Sequence, residues 1–357
     1  MDPNQGKFRT VAGCVSAAAV TLLLVTAGGF TFFQTGGKML KVHPEQKALA
    51  GKVTVEKINY KGWANCYRLS NGIVDAIVTA DVGPRIIRFG FVGEENEFKE
   101  FDEMVGKTGG NEWRPYGGHR LWHAPEMMPR TYFPDNSPVR IEQYDGGIRA
   151  IQPTEPTTGI QKEIDIRLQP NEAHATVSHR LHNMNAWPVE LAPWALTVAA
   201  PGGRAIIPLP PRGPQPEHLL PTSAMALWAY TDLSDQRFTW GRKYILLRQD
   251  KESRDPEKIG LIDSDGWIAY ARAGHLFVKK FDYFKEARYP DFGCTVETFT
   301  NKDMLEVETL GPFTRLDPNA AVEHVEQWFL FRDVPGPKSD SDVDGEVLPR
   351  IREVKVH

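Results

Sequence analysis

Apolar and polar residues alternate with a period of two through most of this chain, in short runs bounded by Gly, Pro, Asn and Asp. Ile164, Ile166 and Leu168 alternate with Asp165 and Arg167, and Leu305, Val307 and Thr309 alternate with Glu306 and Glu308. Successive residues of a strand face opposite sides, so this pattern predicts sheets with one buried and one solvated face. Strands are expected over 53–58, 66–69, 73–79, 86–91, 140–143, 148–152, 160–168, 175–183, 189–198, 244–248, 258–262, 267–272, 275–281, 294–300, 304–309 and 325–331. Asn71-Gly72, Gly83-Pro84 and Asp145-Gly146 supply turns. Long amphipathic helices are missing from the pattern, and no repeat period is visible. The expected fold is therefore all-β, with two large antiparallel sheets packed as a sandwich rather than a propeller.

Composition sharpens this picture. The 357 residues, 41% hydrophobic with 31 Gly and 27 Pro, suit a globular, turn-rich protein with a full core. The net charge of -4, with both signs interspersed, leaves no basic stripe to neutralise phosphates, so nucleic acid is excluded as an expected partner and a polar, uncharged ligand fits better.

Residues 1–34 differ from the rest: Lys7 and Arg9 precede an almost uncharged apolar run over 11–33. This reads as an export signal ending near Ala27-Gly28-Gly29, and the length of the run also permits an uncleaved membrane anchor. The expected location is periplasmic or secreted. Cys14 opens the apolar run instead of closing it, so its likeness to a lipoprotein site is read as chance. A linker over 35–51, a sandwich over 52–332 and an acidic, polar, solvated tail over 333–357 complete the expected organisation. Cys66 and Cys294 are read as buried free thiols, with a disulfide as the alternative an exported protein allows. The Asp-rich run over 338–345 is not read as a calcium loop, because Glu346 falls too early to be its last ligand.

One carboxylate falls on a strand that otherwise reads as buried: Glu297, in Tyr289-Pro-Asp-Phe-Gly-Cys294-Thr-Val-Glu297-Thr-Phe-Thr-Asn301, followed by Leu310-Gly-Pro-Phe313. These residues resemble the C-terminal signature of the galactose-mutarotase-like superfamily. A second segment, over 72–96, resembles the opening strands of the same sandwich. Together with Trp194, Tyr230-Thr-Asp232-Leu-Ser-Asp235 and Trp240-Gly241, it resembles an uncharacterised bacterial branch, the DUF4380 type. The likeness spans roughly residues 52–332 and implies a sugar ligand, a mono- or oligosaccharide, with no cofactor. Phosphate-cradling Gly-rich loops, nucleophile elbows and Cys-x-x-Cys pairs are missing from the sequence.

Mutarotation takes a base for the anomeric hydroxyl and an acid for the ring oxygen. The resemblance puts Glu297 at the base; the structural alternative is a carboxylate satisfied by backbone amides or by Arg120. The family's His acid has no counterpart, since Pro193-Trp194 occupy its place. His179 and His182 are three apart on one strand, so they face opposite sides and only one points inward; His179 is the candidate acid. Gly117-Gly118-His119-Arg120-Leu121-Trp122-His123-Ala124-Pro125-Glu126, read as a loop, offers His119 and Arg120 for hydroxyls, Trp122 for stacking, and His123 and Glu126 as further contacts. A metal held by His119, His123 and Glu126 would require a helical turn, which Pro125 and the paired glycines oppose, so no metal is expected. Trp194 and Asp232 complete the candidate pocket, Asp232 having turn formation as its alternative role. The expected chemistry is that of an aldose 1-epimerase. The alternatives are a sugar-binding module that lost its acid and a lyase or hydrolase on the same scaffold.

Overall fold

A computed structural model describes residues 51–354, so the expected leader over 1–34, Cys14 and nearly all of the linker over 35–51 lie outside the described residues. The chain builds two antiparallel sheets. The first runs in the order β1 (Thr54–Tyr60), β2 (Trp63–Ser70), β3 (Val74–Thr79), β4 (Arg85–Phe91), β5 (Gly118–Ala124), β10 (Val189–Ala199), β19 (Leu305–Leu310), β18 (Val296–Thr300), β15 (Glu257–Leu261) and β12 (Met225–Leu227), with β20 (Thr314–Leu316) paired to β10. The second runs β13 (Phe238–Trp240), β14 (Tyr244–Arg248), β11 (Arg204–Pro208), β16 (Trp267–Arg272), β17 (His275–Phe281), β21 (Ala321–Phe331), β9 (His174–Asn183), β8 (Ile160–Leu168), β7 (Gly147–Ile151) and β6 (Arg140–Tyr144). The period-two pattern therefore predicts the architecture correctly.

The main core lies between the sheets. Phe89, Phe98, Phe277 and Trp328, all nearly or fully buried, meet edge-on or tilted with centroids 5.4–6.2 Å apart. The expected Asn71-Gly72 turn forms, with the Asn71 side-chain carbonyl accepting from the Ile73 and Val74 amides at 2.9 Å.

Two expectations are corrected. The stretch over 117–124, read as a loop, is strand β5. Gly118, at φ +71°, lets the chain pass so close to β4 that a Cβ there would lie 2.4 Å from the Ile86 carbonyl oxygen. The tail is not wholly solvated either. A short helix α1 (Asp340–Asp342), a π-turn (Val343–Val347) and α2 (Leu348–Glu353) bury Val343, Val347 and Ile351 against Ile206, Leu246, Trp267 and Val278 of the second sheet. Apolar residues four apart form a helical stripe that the acidic composition masks. Cys66 and Cys294 are buried free thiols, and among the described residues no helix is long and apolar enough to cross a membrane.

Candidate functional site

Strand register places the charged residues. Trp122 of β5 pairs with Trp194 of β10, which pairs with Leu310 of β19; Arg120 pairs with Leu196, Leu196 with Glu308, Glu308 with Glu297 of β18, and Glu297 with Gly260 of β15. Directly opposed residues share a face. Arg120, Trp122, Trp194, Glu297 and Glu308 therefore lie together on the face of the first sheet turned away from the second, joined by Lys258 and Glu306 one step further along. This corrects the reading of Glu306 and Glu308 as solvated, since they are 6% and 0% exposed. Trp113, Tyr132 and Phe313 pack against Trp122 and Trp194 over this face.

At its centre Lys258 joins two carboxylates. The ammonium lies 2.7 Å from Glu297 Oε2 and 3.5 Å from Glu308 Oε2, and it sits 4.6 Å over the Trp194 ring and 4.5 Å over Trp228. Two carboxylates, one ammonium and two indole faces form a closed set. Trp194 Nε1 donates to Glu308 Oε2 at 2.8 Å, whereas Glu297 Oε1 and Glu308 Oε1 have no hydrogen-bond partner among the described residues. Burial pushes the Glu297 carboxyl well above its ordinary range; Lys258 pulls it back, and Glu308 adds to the rise. Burial raises Glu308 as well, offset in part by Lys258 and the Trp194 indole. Burial alone would lower the Lys258 ammonium, but the two carboxylates outweigh it and hold it above its ordinary value. With both carboxylates ionised the set carries one excess buried negative charge, so it favours one proton shared between Glu297 and Glu308. Gly260 is required beneath Glu297: a Cβ there would lie 3.1 Å from Glu297 Cγ and 2.6 Å from Cys294 Sγ.

Arg120 donates to Glu306 Oε1 at 2.9 Å and lies 4.5 Å over the Trp122 ring, so it does not neutralise Glu297. The partner that does, Lys258, went unnoticed in the sequence, as did Glu308. A signal existed for Glu308. Counting outward from the turn at Lys302 and Asp303, closed by the Asn301 amide on the Met304 carbonyl, sets it opposite Glu297.

The histidines lie elsewhere. His119 and His179 point into the space between the sheets, both fully buried, on the other side of the first sheet from Glu297. His179 Nδ1 lies 2.9 Å from the His324 carbonyl and must donate to it, leaving Nε2 to accept from His119 Nε2 at 2.6 Å; His119 Nδ1 then accepts from the Thr197 hydroxyl at 2.8 Å. This chain fixes both tautomers as neutral. Burial lowers both rings, His119 the more strongly. Glu326, close enough to these imidazoles to complete a metal-sized trio, is occupied by Lys279 at 2.7 Å and by Trp328 Nε1 at 2.7 Å. An ammonium thus supplies the cation. The geometry does not bring His179 to Glu297, and His119 contacts the core rather than the outward face.

His123 also turns away from Trp122; it is 1% exposed, and both ring nitrogens lack a hydrogen-bond partner among the described residues. Glu126 is exposed and accepts from the Tyr132 hydroxyl. Asp232 caps its own turn, accepting from the Ser234 amide at 2.8 Å and hydroxyl at 2.7 Å, as its alternative role anticipates. His119, His123 and Glu126 do not converge on a metal, because His119 and His123 stand four residues apart along the same extended strand, β5, and Glu126 lies beyond its end.

No protein-family model matches the chain, and no curated protein is similar to it at a significant level. Solved structures do match. A galactose mutarotase-like protein from Lactobacillus casei superposes with a TM-score of 0.52 at 10% identity, covering 75% of this chain and 100% of its own. A candidate aldose 1-epimerase from Escherichia coli K12 gives 0.50 at 11%, covering 75% and 99%. A TPR-domain protein from Parabacteroides distasonis gives 0.51 at 13% over 82% of this chain, which spans only 49% of that protein. At these identities the likeness concerns the fold, and that fold is the galactose-mutarotase-like β-sandwich.

Proposed function

We propose that this protein is a sugar-handling member of the mutarotase-like proteins, of the DUF4380 type, whose outward face carries out aldose 1-epimerase chemistry. The observation that supports it is the Glu297–Lys258–Glu308 set, held against the Trp194 and Trp228 indoles on the sheet face opposite the core. In this reading Glu297, the expected base, is one half of a pair. The protonated member gives its proton to the ring oxygen while the ionised member takes one from the anomeric hydroxyl, and the C1–ring-oxygen bond breaks to leave the open-chain aldehyde. Rotation about the C1–C2 bond and reclosure on the other face return both protons with the roles reversed. Lys258 keeps the pair at one net negative charge throughout. Glu308 thereby supplies the acid whose His counterpart is missing at Trp194, and Trp194 orients it. Arg120 and Glu306 border the sugar's other hydroxyls. Export to the periplasm or beyond, through the leader over 1–34, belongs to the same proposal.

The alternative of a binding module draws on one observation. Glu297 and Lys258 satisfy each other at 2.7 Å with 0% and 6% of their side chains exposed, which is also how a purely structural pair would sit. Two-dimensional exchange NMR on a panel of aldoses and uronic acids separates the readings. Anomeric exchange accelerated by the protein, and abolished in both Glu297→Gln and Glu308→Gln, supports the epimerase; binding with exchange at the buffer rate overturns it in favour of the module.

A further inference from the structure

Two cavities lie beyond the aromatic cluster, about 530 Å³ and about 370 Å³, and both are bordered by Pro129 and Thr157, so they adjoin. Tyr132 lines the first while packing edge-on against Trp122 at 5.0 Å, and so forms the wall shared with the outward face of the first sheet. Volumes of this size suit small-molecule sites.

Their polar linings are unsatisfied. In the first, Gln152 is 4% exposed, and among the described residues neither its Oε1 nor Asp135 Oδ1 has a hydrogen-bond partner. In the second, His123 is 1% exposed with both ring nitrogens unpartnered. A buried polar group left unpaired costs about 1–3 kcal/mol, so such groups concentrate where water or a ligand completes them. Lys162 pairs with Glu155 at 2.6 Å and Arg85 with Asp135 at 2.5 Å, and Arg130, which lines the second cavity, donates to the Pro125 carbonyl. Burial, reinforced by Lys162 and Arg130, pushes the His123 imidazole well below its ordinary value, so it is neutral and offers one donor and one acceptor. That is the complement of a hydroxyl. At the outer end of the second cavity Trp187 is 62% exposed, an indole free to stack on the apolar face of a pyranose.

We propose that this groove, from Tyr132 past Pro129 and Thr157 to Trp187, binds the further units of a neutral oligosaccharide whose terminal sugar sits at Glu297 and Glu308. The proposal deepens the sugar reading of that site and rests on it, and it assigns the substrate class as oligosaccharide rather than free monosaccharide.

The test titrates the full chain calorimetrically with neutral gluco-, manno-, galacto- and xylo-oligosaccharides from monomer to hexamer, beside Trp187→Ala and His123→Phe. Affinity for one series should rise at least about tenfold from monomer to trimer, and each variant should lose about tenfold on the trimer. Trp187→Ala should leave monosaccharide exchange unchanged. His123→Phe should fold as stably as the parent, because it removes no hydrogen bond. Length-independent affinity, unaltered binding in both variants, or no binding by any oligomer overturns the groove. Should exchange vanish in Glu297→Gln without oligomer binding, the groove fails and the epimerase reading stands. If Trp187→Ala weakens oligomer binding while every sugar exchanges at the buffer rate, the groove stands and the epimerase reading fails.

Discussion

Replacing Lys258 with Met keeps the length and apolar stem of the side chain but removes the ammonium that lies 2.7 Å from Glu297 and 3.5 Å from Glu308. The carboxylates that remain are fully buried, and among the described residues neither forms an ion pair with any other side chain. Removing one member of a buried ion pair costs about 3–5 kcal/mol, because an uncompensated charge stays behind, and the lost contacts with Trp194 and Trp228 add roughly 1 kcal/mol. The penalty should depend on pH. In the variant both carboxyls are held above their unfolded value, so the folded state binds more protons than the unfolded chain; stability is present at low pH and lost as pH rises, by about 1.4 kcal/mol per unit for each proton involved. Urea denaturation followed by tryptophan fluorescence, from about pH 5 to about pH 8.5, should give a loss of about 4 kcal/mol at the alkaline end that shrinks steadily towards the acid end. The double variant with Glu297→Gln should recover at least about 1 kcal/mol at high pH. A loss that is the same at both ends, or below about 1 kcal/mol throughout, would refute the reasoning, since it would mean the carboxylates are solvated.

Gly260→Ala should displace the Glu297 side chain and Cys294 at a cost of about 1–3 kcal/mol and abolish anomeric exchange, while Gly274→Ala, with nothing within 4 Å of the added Cβ, should leave exchange intact despite its strained backbone; exchange surviving in Gly260→Ala counts against the geometry. Acid should weaken the interior network. Burial holds His324 down to about 3, so the folded state binds fewer protons than the unfolded chain below the ordinary histidine value near 6.5; its stabilisation is complete above that value and lost as pH falls towards about 3. The raised carboxyls of Glu297 and Glu308 act in the opposite sense, so the difference between wild type and His324→Gln isolates the effect, and its urea midpoint gap should narrow from about pH 7 to about pH 4. A constant gap would contradict it.

Most of the scaffold is legible because strand periodicity is local. The runs 160–168, 244–248, 267–272 and 275–281 coincide with β8, β14, β16 and β17, where β-branched and aromatic residues alternate between clean turn signals. Glu297 stands out for the same reason, a lone acid in an apolar strand. Glu306 and Glu308 mislead, because alternation says which residues share a face and not whether loops cover that face. Trp113, Tyr132 and Trp228 arrive from loops far away in sequence and bury it. His119 and His179 look catalytic because a solvated imidazole titrates near neutrality, yet the pairing of β5 with β10 and β8 with β9 turns them inward, where burial lowers both. The buried helical stripe of Val343, Val347 and Ile351 is hidden among Asp and Ser.

The central claim is that Glu297 and Glu308 share one proton across Lys258. It is tested most directly by carbon-13 NMR of glutamate-labelled protein, following the side-chain carboxyls from about pH 4 to about pH 9 and assigning them with Glu297→Gln and Glu308→Gln. The account predicts a carboxyl that stays protonated well above the ordinary glutamate range, with a titration that shifts downward when either partner is replaced. Two independent titrations near the ordinary glutamate value of about 4.3, each unmoved by loss of the other residue, would contradict it.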